Sequence, residues 1–177
     1  MSFVKKDKLE EVVKSITALT SKKVLIGIPG ENAERNDGSE MNNPTLGYIH
    51  EFGSPANNIP ARPFLNPGVK DSKNEWLIRL KKAAEAALNG DKSKVEMEMM
   101  DAGSIASTAS KLIITSGVLQ PLADSTLKAR SRKGDKGAIA ELASRASGNS
   151  PGTDLAKPLI DTSGLLNSIT YVIRKTK

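Results

Sequence analysis

The stretch Ile59-Pro60-Ala61-Arg62-Pro63-Phe64-Leu65 constrains this chain more than any other, because two prolines bracket a cation and then an aromatic. Proline fixes φ and drives the residue before it out of the helical region, so Ile59 and Arg62 are predicted to be extended. The stiff peptide offers Ile59, Phe64 and Leu65 to a core or a partner at little further entropic cost, with Arg62 as a planar fork for carboxylates or carbonyls. Its prolines confine it to a sheet edge, as a third strand that can also pair with a neighbouring subunit. Packing inside the subunit and contact between subunits are both open to it.

The rest of the chain reads as helices around two strands. Leu9, Val12, Val13, Ile16 and Leu19 have the spacing of one helical face, predicting an amphipathic helix from Asp7 to about Thr20. Lys23 to Ile28 is a β-branched run stopped by Pro29-Gly30, and Ile169 to Ile173 alternates as a half-buried strand. Pro44 opens a short helix that ends at Gly53. From Pro67 a helix carries Trp76, Leu77, Leu80, Ala84, Ala87 and Leu88 on one face to Asn89-Gly90, with the lone Trp76 expected in the core. A second long helix presents Val95, Met99, Ala102, Ile105 or Ala106, Ala109, Leu112 and Ile113, whose small members allow close approach. These two long helices are predicted to form an antiparallel hairpin against the sheet. Thr162 is expected to cap a short helix reaching Ser168. The polar stretches at about 30–43 and 129–154 read as mobile loops, the second holding at most a short helix near Ala138 to Ala146. The fold class is therefore α+β: a small antiparallel or mixed sheet packed on two long helices, in one domain spanning 1–177.

Several chemistries find no support. Without cysteine there is no disulfide, thiol nucleophile or thiolate metal site. No phosphate loop or dinucleotide fingerprint follows the first strand, and no serine sits in a nucleophile elbow. His50 is the only histidine, so a metal site would need carboxylates clustered beside it. His50 with Glu51 as an acid/base pair in a hydrolase is the one catalytic arrangement available, and neighbours on a helix point to different faces. The chain is read as not an enzyme and as needing no cofactor. No apolar run is long enough to span a bilayer, so no membrane contact is expected and the site of production is taken as the cytoplasm.

Four stretches in series carry a resemblance. His50 to Gly53 precedes Ile59 to Leu65, then come Pro121-Leu122, Ser125-Thr126 and Lys128, and last Pro158 to Tyr171. In that order they resemble the tail-completion or neck proteins of tailed bacteriophages, the minor tail and virion morphogenesis proteins that join head to tail. That family carries His-Glu-Phe-Gly before Ile-Pro-x-Arg-Pro-Phe, and Pro-Leu-x-Asp-Thr-Gly-x-Leu-x-x-Ser-Ile near its end. This chain departs at Ser163, where the pattern prefers glycine, and Gly164 can supply a left-handed residue if the turn slides by one. The resemblance implies a structural virion protein, assembled in the host bacterial cytoplasm, at the neck or the head-proximal end of the tail. It implies a homo-oligomeric ring of six copies joining the head-tail connector to the tail terminator or tail tube proteins. No position is catalytic in that family. Closing a ring needs heterologous interfaces, for which Ile59, Arg62, Phe64 and Leu65, with the polar and basic loops, are the candidate assembly surface.

The basic loop, Lys128, Arg130, Arg132, Lys133 and Lys136, has no aromatic to stack on a base, so it suits a solvated surface or sequence-independent contact with DNA in a channel. A net charge of +6 permits the alternative reading. That alternative is a basic cytoplasmic nucleic-acid-binding module using this loop with Arg174, Lys175 and Lys177.

Overall fold

A computed structural model describes residues 9–30, 41–161 and 163–176. Helix α1, Leu9–Thr20, turns at Ser21 into strand β1, Lys22–Gly27. β1 pairs antiparallel with the last strand, β2, Thr170–Lys175, setting Val24 opposite Ile173 and Ile26 opposite Tyr171. The pairing ties together two segments far apart in the sequence. Between them run α2, Asn43–Phe52, and α3, Leu65–Asp71, followed by the long helices α4, Lys73–Leu88, and α5, Lys92–Thr115. Next come α6, Asp124–Arg132, α7, Lys136–Ala146, and the short α8, Gly164–Ser168. The fold is α+β, with an antiparallel two-stranded sheet on a helical layer.

α4 and α5 form the expected hairpin. Asn89-Gly90 ends α4, and the Asp91 carboxylate caps α5 by accepting the Lys94 N–H at 2.9 Å. Ala83, Ala86, Ala87, Val95 and Met99 form the core between the two helices, with Val24, Ile173, Leu19 and Leu80 packed against it. Small residues set the spacing. A side chain on Gly103 would strike the Tyr171 ring, and one on Gly68 would strike the α5 backbone at Ser110.

Four expectations change. Ile59 makes one isolated bridge to Ser54 while Leu65 already opens α3, so the proline-rich peptide is no third strand. Pro60 and Pro63 have no N–H to give, and a side chain captures the next three, as described below. The span expected as a loop at 129–154 contains the last turn of α6 and, where a short helix near Ala138 to Ala146 was expected at most, all of α7; the two helices close on a small core of Leu122, Leu127, Ala138 and Ala156. The helix expected from Pro67 begins at Leu65 and breaks at Ser72, whose hydroxyl donates back to the Gly68 carbonyl at 2.8 Å. α1 packs by Ser15 and Ala18, leaving Leu9, Val13 and Ile16 exposed. Asp7, most of the polar stretch 31–43, Thr162 and Lys177 lie outside the described residues; within that stretch, Asn42 caps α2 by accepting the Thr45 N–H at 2.9 Å.

Candidate functional site

The stretch from His50 to Leu65 folds back on itself as a clasp. α2 ends at Phe52, and Gly53 takes φ +77° with the backbone of Ala61 so close that a Cβ would sit 2.8 Å from its nitrogen. Only glycine suits both demands. The Arg62 N–H then donates to the His50 carbonyl at 2.7 Å. The buried Glu51 carboxylate accepts three backbone N–H groups, from Phe64 and Leu65 at 2.8 Å and from Asn66 at 2.9 Å. Those are the first donors of α3, which a helix cannot satisfy internally. Glu51 is therefore a cap supplied from another helix, a role its pairing with His50 in the sequence did not suggest. The available clue was its position shortly before a helix start that lacks its own capping residue.

Arg62 is 7% exposed and points inward. Its Nε donates to the Gln120 carbonyl at 2.9 Å and Nη2 to the Pro121 carbonyl at 3.0 Å. Of the partners open to the fork, the fold uses carbonyls. Burial, and then the charge of Arg130, lower its pKa from the usual arginine value, yet a guanidinium stays charged. Phe64, 2% exposed, joins Ile114, Leu119, Leu159, Leu165 and Ile169 in one core, with Leu65 at its margin. Arg62 and Phe64 are thus used inside the subunit, and Ile59 and Leu65 keep part of their surface.

The basic residues separate in the same way. Arg130 turns inward, its Nη1 donating to the Ile160 carbonyl at 2.7 Å and the Lys157 carbonyl at 3.3 Å. Lys128, Arg132, Lys133 and Lys136 stand exposed on α6 and at the start of α7. Beside them Arg145, unremarked in the sequence, ties α7 to the start of α6. Its Nε donates to Glu141 at 2.8 Å, and its Nη1 to Asp124 at 2.7 Å and the Leu122 carbonyl at 2.9 Å. Burial works against the Arg145 charge, and the bonds to Glu141 and Asp124 outweigh it, raising its pKa.

Apolar surface stays uncovered next to the clasp. Tyr48 and Phe52, one turn apart on α2, are 66% and 58% exposed with ring centroids 4.8 Å apart. They border a cleft lined by Ile28, Pro44, Phe64 and Leu65. Among the described residues no group of three or more His, Asp or Glu could hold a metal ion, and no helix is long and apolar enough to cross a membrane. Comparison with protein-family models, curated proteins and solved structures returns no match.

Proposed function

We propose that this chain is a structural virion protein of a tailed phage, forming a ring at the neck or head-proximal end of the tail and joining the head connector to the tail. The observation that carries the reading is convergence. The stretches that resemble the neck family lie far apart in sequence, yet they meet: Arg62 binds the His50 carbonyl and the Gln120-Pro121 turn, and Phe64 packs with Leu159, Leu165 and Ile169. Motif residues spent on holding distant segments together suit a building block. The exposed Tyr48-Phe52 pair and the Leu9, Val13 and Ile16 stripe supply apolar surface for sister copies and neck partners. Electron microscopy of particles made without the protein tests the reading. Separated heads and tails are expected, and intact infectious particles overturn it.

The exposed cations of α6 and α7 favour one addition, sequence-independent contact with DNA in the channel. Retention on DNA should fall as salt rises, and replacing Lys128, Arg132, Lys133 and Lys136 with glutamine should flatten that dependence. Tight binding by the isolated chain at moderate salt would instead favour a nucleic-acid-binding module.

A further inference from the structure

We propose that the free edge of β1 binds a single extended segment of a partner protein, apolar where it faces Val24 and Ile26 and acidic where it passes Lys23. The Thr176 N–H donates to the Ser21 carbonyl at 2.6 Å, which fixes the ladder's alternation. Lys23, Leu25 and Gly27 spend their backbone groups on β2, whereas those of Lys22, Val24 and Ile26 point the other way. Among the described residues nothing bonds to that edge.

Beneath it lies an apolar cavity of about 160 Å³, lined by Val24, Ile26, Val69, Trp76, Leu80 and two alanines of α5. Its walls come from β1 and from α3, α4 and α5, with no residue of β2, so it sits under the unpaired side of the sheet. An added strand would drop alternate side chains into it, gaining main-chain bonds from the edge and selectivity from the cavity.

Two features narrow the occupant. Val69 of α3 and Trp76 and Leu80 of α4 already bound the space beneath this edge, so a second copy's sheet would bring its own α5 against them. A lone extended segment carries no such helix. Charge supplies the other constraint: Lys22 is paired with Glu96 at 2.6 Å, while the exposed Lys23, Arg174 and Lys175 at the same end of the sheet have no carboxylate partner among the described residues. A carboxylate on the outer face of the added strand meets Lys23 with Arg174 behind it.

The probe is a fluorescein-labelled peptide of about eight residues, a strand's length, in which valine alternates with glutamate. A second peptide carries lysine in place of glutamate. Saturable binding of the acidic peptide is expected, with a shift of Trp76 emission to shorter wavelength and slowed exchange of the Val24 and Ile26 amides. Trp76 is the only tryptophan, so the emission has one source. Lys23→Glu, on the exposed face, should weaken the acidic peptide roughly 3- to 5-fold and improve the basic one. Absence of saturable binding overturns the proposal. So does binding that is indifferent to Lys23→Glu, or binding that leaves both amides and Trp76 unchanged.

Discussion

Ser163 holds φ +60°, a left-handed conformation that suits glycine, and it does so without a side-chain capping bond. The neighbouring Gly164 is the first residue of α8 and does not take over the turn. The turn therefore stays in the register of the glycine-bearing pattern while carrying a residue that strains it. Relief of the strain outweighs the extra chain entropy of glycine by a small margin, so Ser163→Gly is expected to stabilise by about 0.5 kcal/mol, read as a higher denaturant midpoint at unchanged slope. Leu159 is also left-handed, at φ +61°, but its side chain is buried in the main core, and that burial offsets the strain. Glu51 is the opposite case, a side chain with no substitute. Glutamine keeps its shape but has one acceptor oxygen for three N–H groups, and an unsatisfied buried donor costs about 1–3 kcal/mol. Glu51→Gln should lower stability by about 2 kcal/mol or more, with α3 amides exchanging faster in proportion.

Among the elements, β1, β2 and the α4–α5 hairpin were legible from their apolar spacing and α2 from its bounding Pro44 and Gly53, although α4 starts later than Pro67 and Leu88 and Leu112 of the expected faces stand exposed. α6 was not legible, because Asp124 to Arg132 has Leu127 as its one large apolar residue, and its burial depends on Ala138 and Ala156 from later in the chain. Its helicity is tertiary in origin, and periodicity cannot report that. The proline-rich peptide was legible in its stiffness but not in its partners, since nothing local shows Glu51 turning back to meet it. α1 was legible as a helix and only in part as a face: Leu19 packs on the α4–α5 core as its spacing implies, while Ser15 and Ala18, which permit a closer approach, are buried in place of Leu9, Val13 and Ile16. The α6–α7 pair also carries a pH dependence. The Gly152 N–H above all, with Arg145, holds the buried Glu141 carboxyl below its usual value despite the opposing effect of burial and of Asp124. A carboxyl depressed in the folded state contributes stability that is complete above the unfolded value of about 4.3 and is lost as pH falls through the folded one. Denaturant unfolding at stepped pH should therefore show a loss of stability below about pH 4 that is shallower in Glu141→Gln. Equal acid limbs in the two proteins would remove Glu141 as the cause.

At the scale of the whole molecule, the division of labour among aromatic residues is what most supports the proposed assembly. The chain has only six, and a fold short of large side chains would be expected to bury them all. Instead Phe64 fills the core while Tyr48 and Phe52 pack against each other at a tilt in solvent, on the same helix whose Glu51 points inward to cap α3. Burying either ring fully is worth about 1.5–3 kcal/mol, which the isolated subunit forgoes and a neighbour can recover. Removing them should then separate folding from joining. Tyr48→Ser with Phe52→Ser is expected to change unfolding free energy by less than about 1 kcal/mol, since neither ring supports the core. Under the proposed neck role, in particles it should behave like absence of the protein, giving separated heads and tails despite normal levels of folded chain. Glu51→Gln distinguishes this from a stability effect, because it weakens the subunit while leaving that surface in place, and its joining defect should be rescued at lower temperature. A double serine variant that joins heads to tails as well as the parent would remove α2 from the interface and leave the α1 stripe and the β1 edge as the surfaces on which a ring could be built.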